Sequence, residues 1–598
     1  MRAAGGGASA DPSCPGNAAL HTLTAAFPKV AANALENLPP FVGARHAFEL
    51  DWLRGLSGIT PGTAQLLAVR TACLAAAWGP TALRSEAAGK NAEGEADILL
   101  GESRGPADPD YVARSWAFAQ PVEQLLAAGG DERLALSPET SLNRYGCSPW
   151  PRPQVISFGS CTASSLSPQA FAAAERRRRA ILQQALHLGP DHALQVATQD
   201  TENAILTYFD VSDLATAILT ASGTDGALTV TGLLAAEYPN AAITSVLVSP
   251  SETGSGVPLA VQGRHFAGMS PEGSPVEKGA RLAGLHRPPD LSTIALRHPD
   301  GQPRAAEDVA QDCEAAVLSA TLRGRAVLHA IDGSKTGLAA PDRPTLLRLA
   351  KRFGSRLDVV IDACQARIEP ALVRWYLSHG FPVLVTGSKF FAAPGFCGAV
   401  LFPHARLSRI RHSGSLPSGL AAYTRLQGGF GSRHCLGLLL RWEAALHDMA
   451  AFASIPADEI GRKLFELGQS ARHALAADRR LHLVPAPRPP GMGWSDRRSV
   501  FTFKVAADDG WLDSAKLRRL YLALQDPADA ESGPLCQIGQ PVEIGSSALG
   551  GLRIAFSAQQ VLNARDTATL LPAVVGKLRS VLDTAARQSV KSQSLVSS

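Results

Sequence analysis

The sequence has no uninterrupted apolar run of about eighteen residues, so no membrane-spanning helix is predicted. It has no C-x-x-C pair. Its nine cysteines (Cys14, Cys73, Cys147, Cys161, Cys313, Cys364, Cys397, Cys435 and Cys536) stand singly, which argues against a zinc site or a disulfide scaffold and fits a reducing cytoplasm. Charge imbalance is nearly missing too: 57 Lys and Arg face 53 Asp and Glu, and a net +4 over 598 residues makes a basic nucleic-acid surface an unattractive reading. Near the start, three prolines, a glycine run and Asp11 stand where a secretory signal needs a continuous apolar stretch. Neither a nucleic-acid nor a membrane partner is expected. What is present, 45% apolar and 18% charged residues, describes a globular chain, long enough at about 150 residues per domain for several domains.

Residues 1–17 are small and polar and read as a tail that buries little. Residues 18–150, rich in Ala and Leu, read as a mostly helical extension without visible chemistry, ending in a Pro-rich linker over 142–153. The texture then changes. Between 151 and 405, short apolar runs at 194–197, 243–248, 326–331, 359–361, 383–385 and 399–402 alternate with helical stretches. This predicts a large α/β domain whose mostly parallel sheet is covered on both faces, with ligands at the strand carboxyl ends. Residues 406–585 read as a smaller α+β domain with a Gly-rich patch at 427–432, a helix over 436–446 and strands over 500–505 and 552–556. Residues 586–598 read as a frayed tail.

Four features fall in one order. Ser222-Gly223-Thr224-Asp225-Gly226 opens a helical run, and its backbone N–H groups suit a phosphate, although an ordinary strand-to-helix turn looks the same. Asp362 ends the apolar run Val359-Val360-Ile361, where a carboxylate needs a cationic neighbour unless it caps a helix. Lys389 follows Val385-Thr386-Gly387-Ser388 and precedes Phe390-Phe391; a desolvated amine there suits Schiff-base chemistry, with a snorkelling surface lysine as the plain alternative. Arg553 in Leu552-Arg553-Ile554 offers a fork for a carboxylate, or is an exposed strand arginine. Of the rest, the run Arg176–Arg179 reads as a solvated helix face, and His265 and His329 as core histidines.

The sequence D-A-C-Q at 362–365, T-G-S-K at 386–389 (389 − 362 = 27 residues between Asp and Lys) and the following F-F-A-A-P-G-F-C-G-A-V-L-F resemble fold-type I pyridoxal-phosphate enzymes, within them the aminotransferase class V group that includes cysteine desulfurases. The likeness spans about residues 155–560. It implies pyridoxal 5'-phosphate as cofactor, tethered to Lys389 as a Schiff base, with Asp362 on the pyridine nitrogen and Gln365 near the phenolic oxygen. Gly223, Thr224, Thr386 and Ser388 would contact the phosphate. Arg553 would bind the α-carboxylate of an amino-acid-like substrate, and Ser334 would stand where the group has an asparagine. The loop 428–433, with Arg433, would reach the partner subunit's site in a homodimer. Two histidines usual in desulfurases are replaced, by Ser388 and within 249–254. Against that, Cys536 lies 553 − 536 = 17 residues before Arg553, like the sulfur-accepting cysteine on a mobile loop in one desulfurase subgroup, or is simply a packed thiol. Aminotransferase-like chemistry is therefore expected first and cysteine desulfuration or C–S cleavage second. A non-catalytic phosphate-ligand or partner-binding protein on the same scaffold is the reading of another class.

Overall fold

Uncharged runs of Val, Ile, Leu and Ala form strands when both of their faces find cover. The computed structural model describes residues 120–596, apart from 130, 138–139, 414–415, 426–431, 488–492, 508–509 and 527–532. The tail at 1–17, most of the expected extension and the loop 428–431 therefore lie outside the described residues. The strands in chain order are β1 (Val155–Phe158), β2 (Ala215–Thr220), β3 (Ile243–Val248), β4 (Asp290–Ile294), β5 (Arg325–Asp332), β6 (Ala339–Ala340) and β7 (Leu357–Asp362). Then follow β8 (Val383–Thr386), β9 (Gly398–Pro403), β10 (Leu481–Leu483), β11 (Val500–Ala507), β12 (Gly510–Trp511), β13 (Leu535–Ile544) and β14 (Ser546–Ala555).

The chain divides into two compact units. The smaller includes residues 176–197, and within it Arg178 is buried, its guanidinium donating to the Gln120 carbonyl at 3.4 Å. The basic run is thus not wholly a solvated face. The larger unit, Leu126–Ser137, Ser141–Glu175 and Thr198–Ser598, carries all the described strands.

Its main sheet runs β2-β9-β8-β7-β5-β3-β4. Strands β4, β3, β5, β7 and β8 are parallel, and β9 is antiparallel to both its neighbours β8 and β2. Seven successive residues of β5 are buried, as expected of a strand covered on both sides. Helix α1 (Gly223–Glu237) supplies part of that cover: Leu228, Leu233 and Leu234 join Leu384, Val400 and Phe402 in one core cluster. Five of the six expected strands are present. The sixth, 194–197, is part of the helix Pro190–Tyr208, in which Ala193, Ala197, Thr201 and Ile205 are buried at a spacing of four.

The second sheet runs β1-β13-β14-β11-β10, with β12 on β11. Its β1 corrects the expected boundary at 151. That strand lies parallel to β13, Val155 opposite Leu535, and so belongs with the C-terminal strands and not with the large sheet. The chain also ends differently from expectation, since the helix Ala564–Val596 continues through most of the segment read as frayed. No helix among the described residues is long and apolar enough to cross a membrane.

Candidate active site

The carboxyl ends of β3, β5, β7 and β8 open on a cavity of about 340 Å³, lined also by the start of α1, the turn after β1 and strands β13 and β14. The cavity is strongly polar. Arg133, Arg144, Lys335, Lys389 and Arg553 line it together with Glu252 and Asp362.

Asp362 is the last residue of β7 and Lys389 follows the end of β8, the two strands being paired in parallel with Asp362 opposite Leu384. Asp362 accepts the Cys364 N–H at 3.0 Å, yet burial holds its carboxyl above the ordinary carboxylate range. Lys389 Nζ donates to the Thr162 carbonyl, and burial pushes its pKa down to about 8, with Arg553 adding repulsion. An amine and a carboxyl that both resist ionisation thus face one space. The snorkelling alternative for Lys389 fails.

Gln365 donates through Nε2 to the Cys161 carbonyl at 3.2 Å, while its Oε1 is buried without a partner. Thr386 Oγ1 donates to the Cys364 carbonyl at 2.7 Å. At the head of α1, Ser222 is the N-cap: its hydroxyl accepts from the Asp225 N–H at 3.3 Å and donates to the Asp225 carboxylate. Burial raises Asp225 to about 7. The first N–H groups of the helix, at Gly223 and Thr224, have no intrahelical partner by geometry and lie at the cavity. A Cβ at Gly223 would stand 2.3 Å from Cys364 Sγ, so any larger residue there must push the Cys364 side chain aside.

Arg553 is buried in β14 and not an exposed strand arginine. Its Nη2 donates to Thr162 Oγ1 and to the Gln540 carbonyl, each at 2.8 Å, and Nη1 reaches the Lys335 carbonyl at 3.3 Å. Among the described residues no carboxylate pairs with it. The cavity therefore brings together nine of the expected residues: Gly223, Thr224, Ser334, Asp362, Gln365, Thr386, Ser388, Lys389 and Arg553.

Two expectations are corrected. Cys536 does not line the cavity and is not on a mobile loop. It is fully buried in β13, in register with Ile156, and burial pushes its thiol up to about 11. A protonated, enclosed sulfur is a poor nucleophile. Ser334 does line the cavity, but its hydroxyl donates to Glu252 Oε2 at 2.7 Å and accepts from the N–H groups of Leu338 at 2.9 Å and Thr336 at 3.2 Å, leaving nothing for a substrate. It shapes the turn instead. Arg433 is the second residue of the helix Ser432–Ala453, and its side chain lies outside the described residues. His329 stays in the core, its pKa lowered by burial to about 4, and His265 bonds the Tyr423 hydroxyl at 2.6 Å.

Sequence reasoning passed over Lys335, Glu252 and the Cys161-Thr162 turn. The turn is placed by β1, whose pairing partner lies far along the chain. Glu252 is held by Arg297 at 2.8 Å, a non-local ion pair. The segment around Lys335 was visible as a departure from the usual turn, but its lysine carried no local signal. Among the described residues no group of three His, Cys, Asp or Glu is placed to hold a metal ion.

No protein-family model and no curated protein matches the chain. Solved structures do. An SPT structure containing PLP aligns at 13% identity over 71% of this chain and 88% of that one, with a TM-score of 0.42. A Sphingomonas wittichii serine palmitoyltransferase aligns at 11% identity, 71% and 88% coverage and a TM-score of 0.42. A protein assigned as a histidinol-phosphate aminotransferase, from Erwinia carotovora atroseptica, aligns at 12%, 70% and 96%, with a TM-score of 0.39. Likenesses this distant carry no argument about chemistry, which rests on the residues of the cavity.

Proposed function

We propose that the protein is a pyridoxal-phosphate-dependent enzyme of fold type I that acts at Cα of an amino-acid-like substrate, in the manner of an aminotransferase. The observation that carries this reading is the placement of Asp362 and Lys389 at the ends of neighbouring parallel strands, facing one cavity with the unpaired Arg553.

The residues fit the cofactor on several independent counts. Gln365 Oε1 is a buried polar atom lacking a partner. The backbone N–H groups of Gly223 and Thr224, at the head of α1, line the cavity and suit a phosphate. Burial raises the Asp362 carboxyl, so a neighbouring cation, which a pyridine nitrogen becomes on protonation, would favour its ionised form. When bound, the cofactor supplies an electron sink for bonds broken at Cα. The protein's part is positional and electrostatic. Lys389 Nζ would hold the cofactor covalently and then, released, move a proton at Cα. Asp362 would keep the proton on the ring nitrogen, Gly223, Thr224, Thr386 and Ser388 would hold the phosphate, and Arg553 would orient the α-carboxylate through its remaining N–H.

The buried Cys536 leaves the sulfur-transfer branch without its nucleophile, so transamination takes precedence over desulfuration. A homodimer belongs to the same reading and is checked by light scattering. The deciding experiment adds pyridoxal phosphate to the purified protein. A visible absorption band is expected in wild type and not in Lys389→Ala, which is also expected to lose turnover. A wild-type protein that stays colourless overturns the proposal in favour of a binding-only role.

A further inference from the structure

We propose that Lys335 recognises a second anionic group on the substrate, so that the amino acid taken by this site carries an acidic side chain, a carboxylate or a phosphate, besides its α-carboxylate. The proposal rests on the cofactor reading above and names the class of substrate for the same cavity.

Lys335 lies in the turn after β5, at the cavity wall. Its backbone is fixed at both ends. Its N–H donates to the Glu252 carbonyl at 3.0 Å, and its carbonyl accepts from Arg553 Nη1 at 3.3 Å. Arg553 thus holds the Lys335 backbone at the cavity wall where both side chains are lining residues, and burial, with Arg553 adding repulsion, lowers Lys335 to about 8.

Among the described residues neither cation forms an ion pair, although Glu252 and Glu543 act on Lys335 from farther off. Glu252 stands nearby, but both of its oxygens are engaged by Arg297, Ser334 and Thr336. Arg133 differs in being paired with Asp131. The remaining cavity carboxylate, Asp362, is claimed by the cofactor ring in the reading above, and Lys389 by the cofactor itself. With Arg144 exposed, the half-buried Lys335 and the buried Arg553 then remain, and anionic ligand groups would relieve the repulsion on the lysine. One α-carboxylate answers the arginine; the lysine calls for another. The polar walls around both argue against an apolar substrate side chain at this end.

The test measures equilibrium binding to cofactor-loaded protein by calorimetry, with aspartate, glutamate and phosphoserine compared with asparagine, glutamine and serine. Acidic ligands are expected to bind at least about tenfold tighter than their neutral counterparts, the equivalent of one charge-assisted hydrogen bond. Whichever of the carboxylate and phosphate arms shows the larger ratio identifies the source of the anion. Lys335→Met is expected to erase the ratio, and Lys335→Arg to keep part of it. Equal affinity for acidic and neutral members in wild type, or an acidic preference that persists in Lys335→Met, overturns the assignment while leaving the cofactor reading intact. A second measurement needs no cofactor. Malonate is expected to raise the melting temperature of the cofactor-free protein more than acetate does, and Lys335→Met to abolish that difference; no difference in wild type also overturns the assignment.

Discussion

Asp362 and Lys389 stand where apolar strands stop, and the physics that makes them costly is what makes them usable. Burial disfavours charge on both, so each is poised to gain a partner that restores it. Asp362→Asn keeps the shape and removes the charge. Turnover is expected to fall by about a hundredfold or more, as when a preorganised electrostatic partner is lost, with the visible band of the bound cofactor retained; steady-state kinetics beside an absorption spectrum checks both. The lysines also predict a pH dependence of stability. Lys335 has its pKa lowered from 10.5 to about 8 in the folded state, so the folded protein bears the full cost of burying its charge below about pH 8 and none of it above the unfolded value. In the cofactor-free protein, the stability gained by Lys335→Met should be largest at neutral pH and shrink as pH rises from about 8 toward 10.5, measured by urea denaturation at each pH. Asp362, Gln365 and Lys389 were legible because polar groups at the end of Val- and Ile-rich runs are conspicuous. Lys335 was not, since its meaning comes from Arg553 on a distant strand and from a Glu252 already taken by Arg297.

At the scale of elements, the head of α1 and the turn after β7 are built to touch. Gly223 lies so near Cys364 that an added methyl group must displace the sulfur. Gly223→Ala is expected to weaken cofactor binding at least about tenfold and to cost roughly 1–3 kcal/mol of stability through overpacking. Combining it with Cys364→Ala, which removes the sulfur and keeps a Cβ 3.2 Å from the new carbon, is expected to recover much of both losses; cofactor titration and thermal melting of the double variant report the coupling. The strands of the large sheet were largely readable as apolar runs. Strand β2, Ala-Thr-Ala-Ile-Leu-Thr, was missed because threonine and alanine dilute its apolar signal, and 194–197 was misread because four apolar-rich residues fit a buried helix turn as well as a strand.

For the molecule as a whole, the second sheet is the part least visible in sequence. Residues 155–158, which form β1, were counted with the large domain by chain order, without being read as a strand, but a parallel partner can come from anywhere in the chain. Through the turn that follows, this strand sets the Thr162 carbonyl on Lys389 and the Thr162 hydroxyl on Arg553. A chain beginning at residue 167 is accordingly expected to lose soluble yield, because β13 becomes an open edge, and to bind no cofactor even though every strand of the main sheet is retained. Expression followed by a cofactor absorption scan tests this.

The pairing of Val155 with Leu535 also has a temporal side. A ribosome builds the chain from its amino end, so the first strand must wait through some 535 − 155 = 380 further residues before its mate emerges. Until then Cys161, Thr162 and the amine they face have no common wall. The cavity's wall is thus a late event in the birth of this stretch of chain, closing only after β13 has emerged.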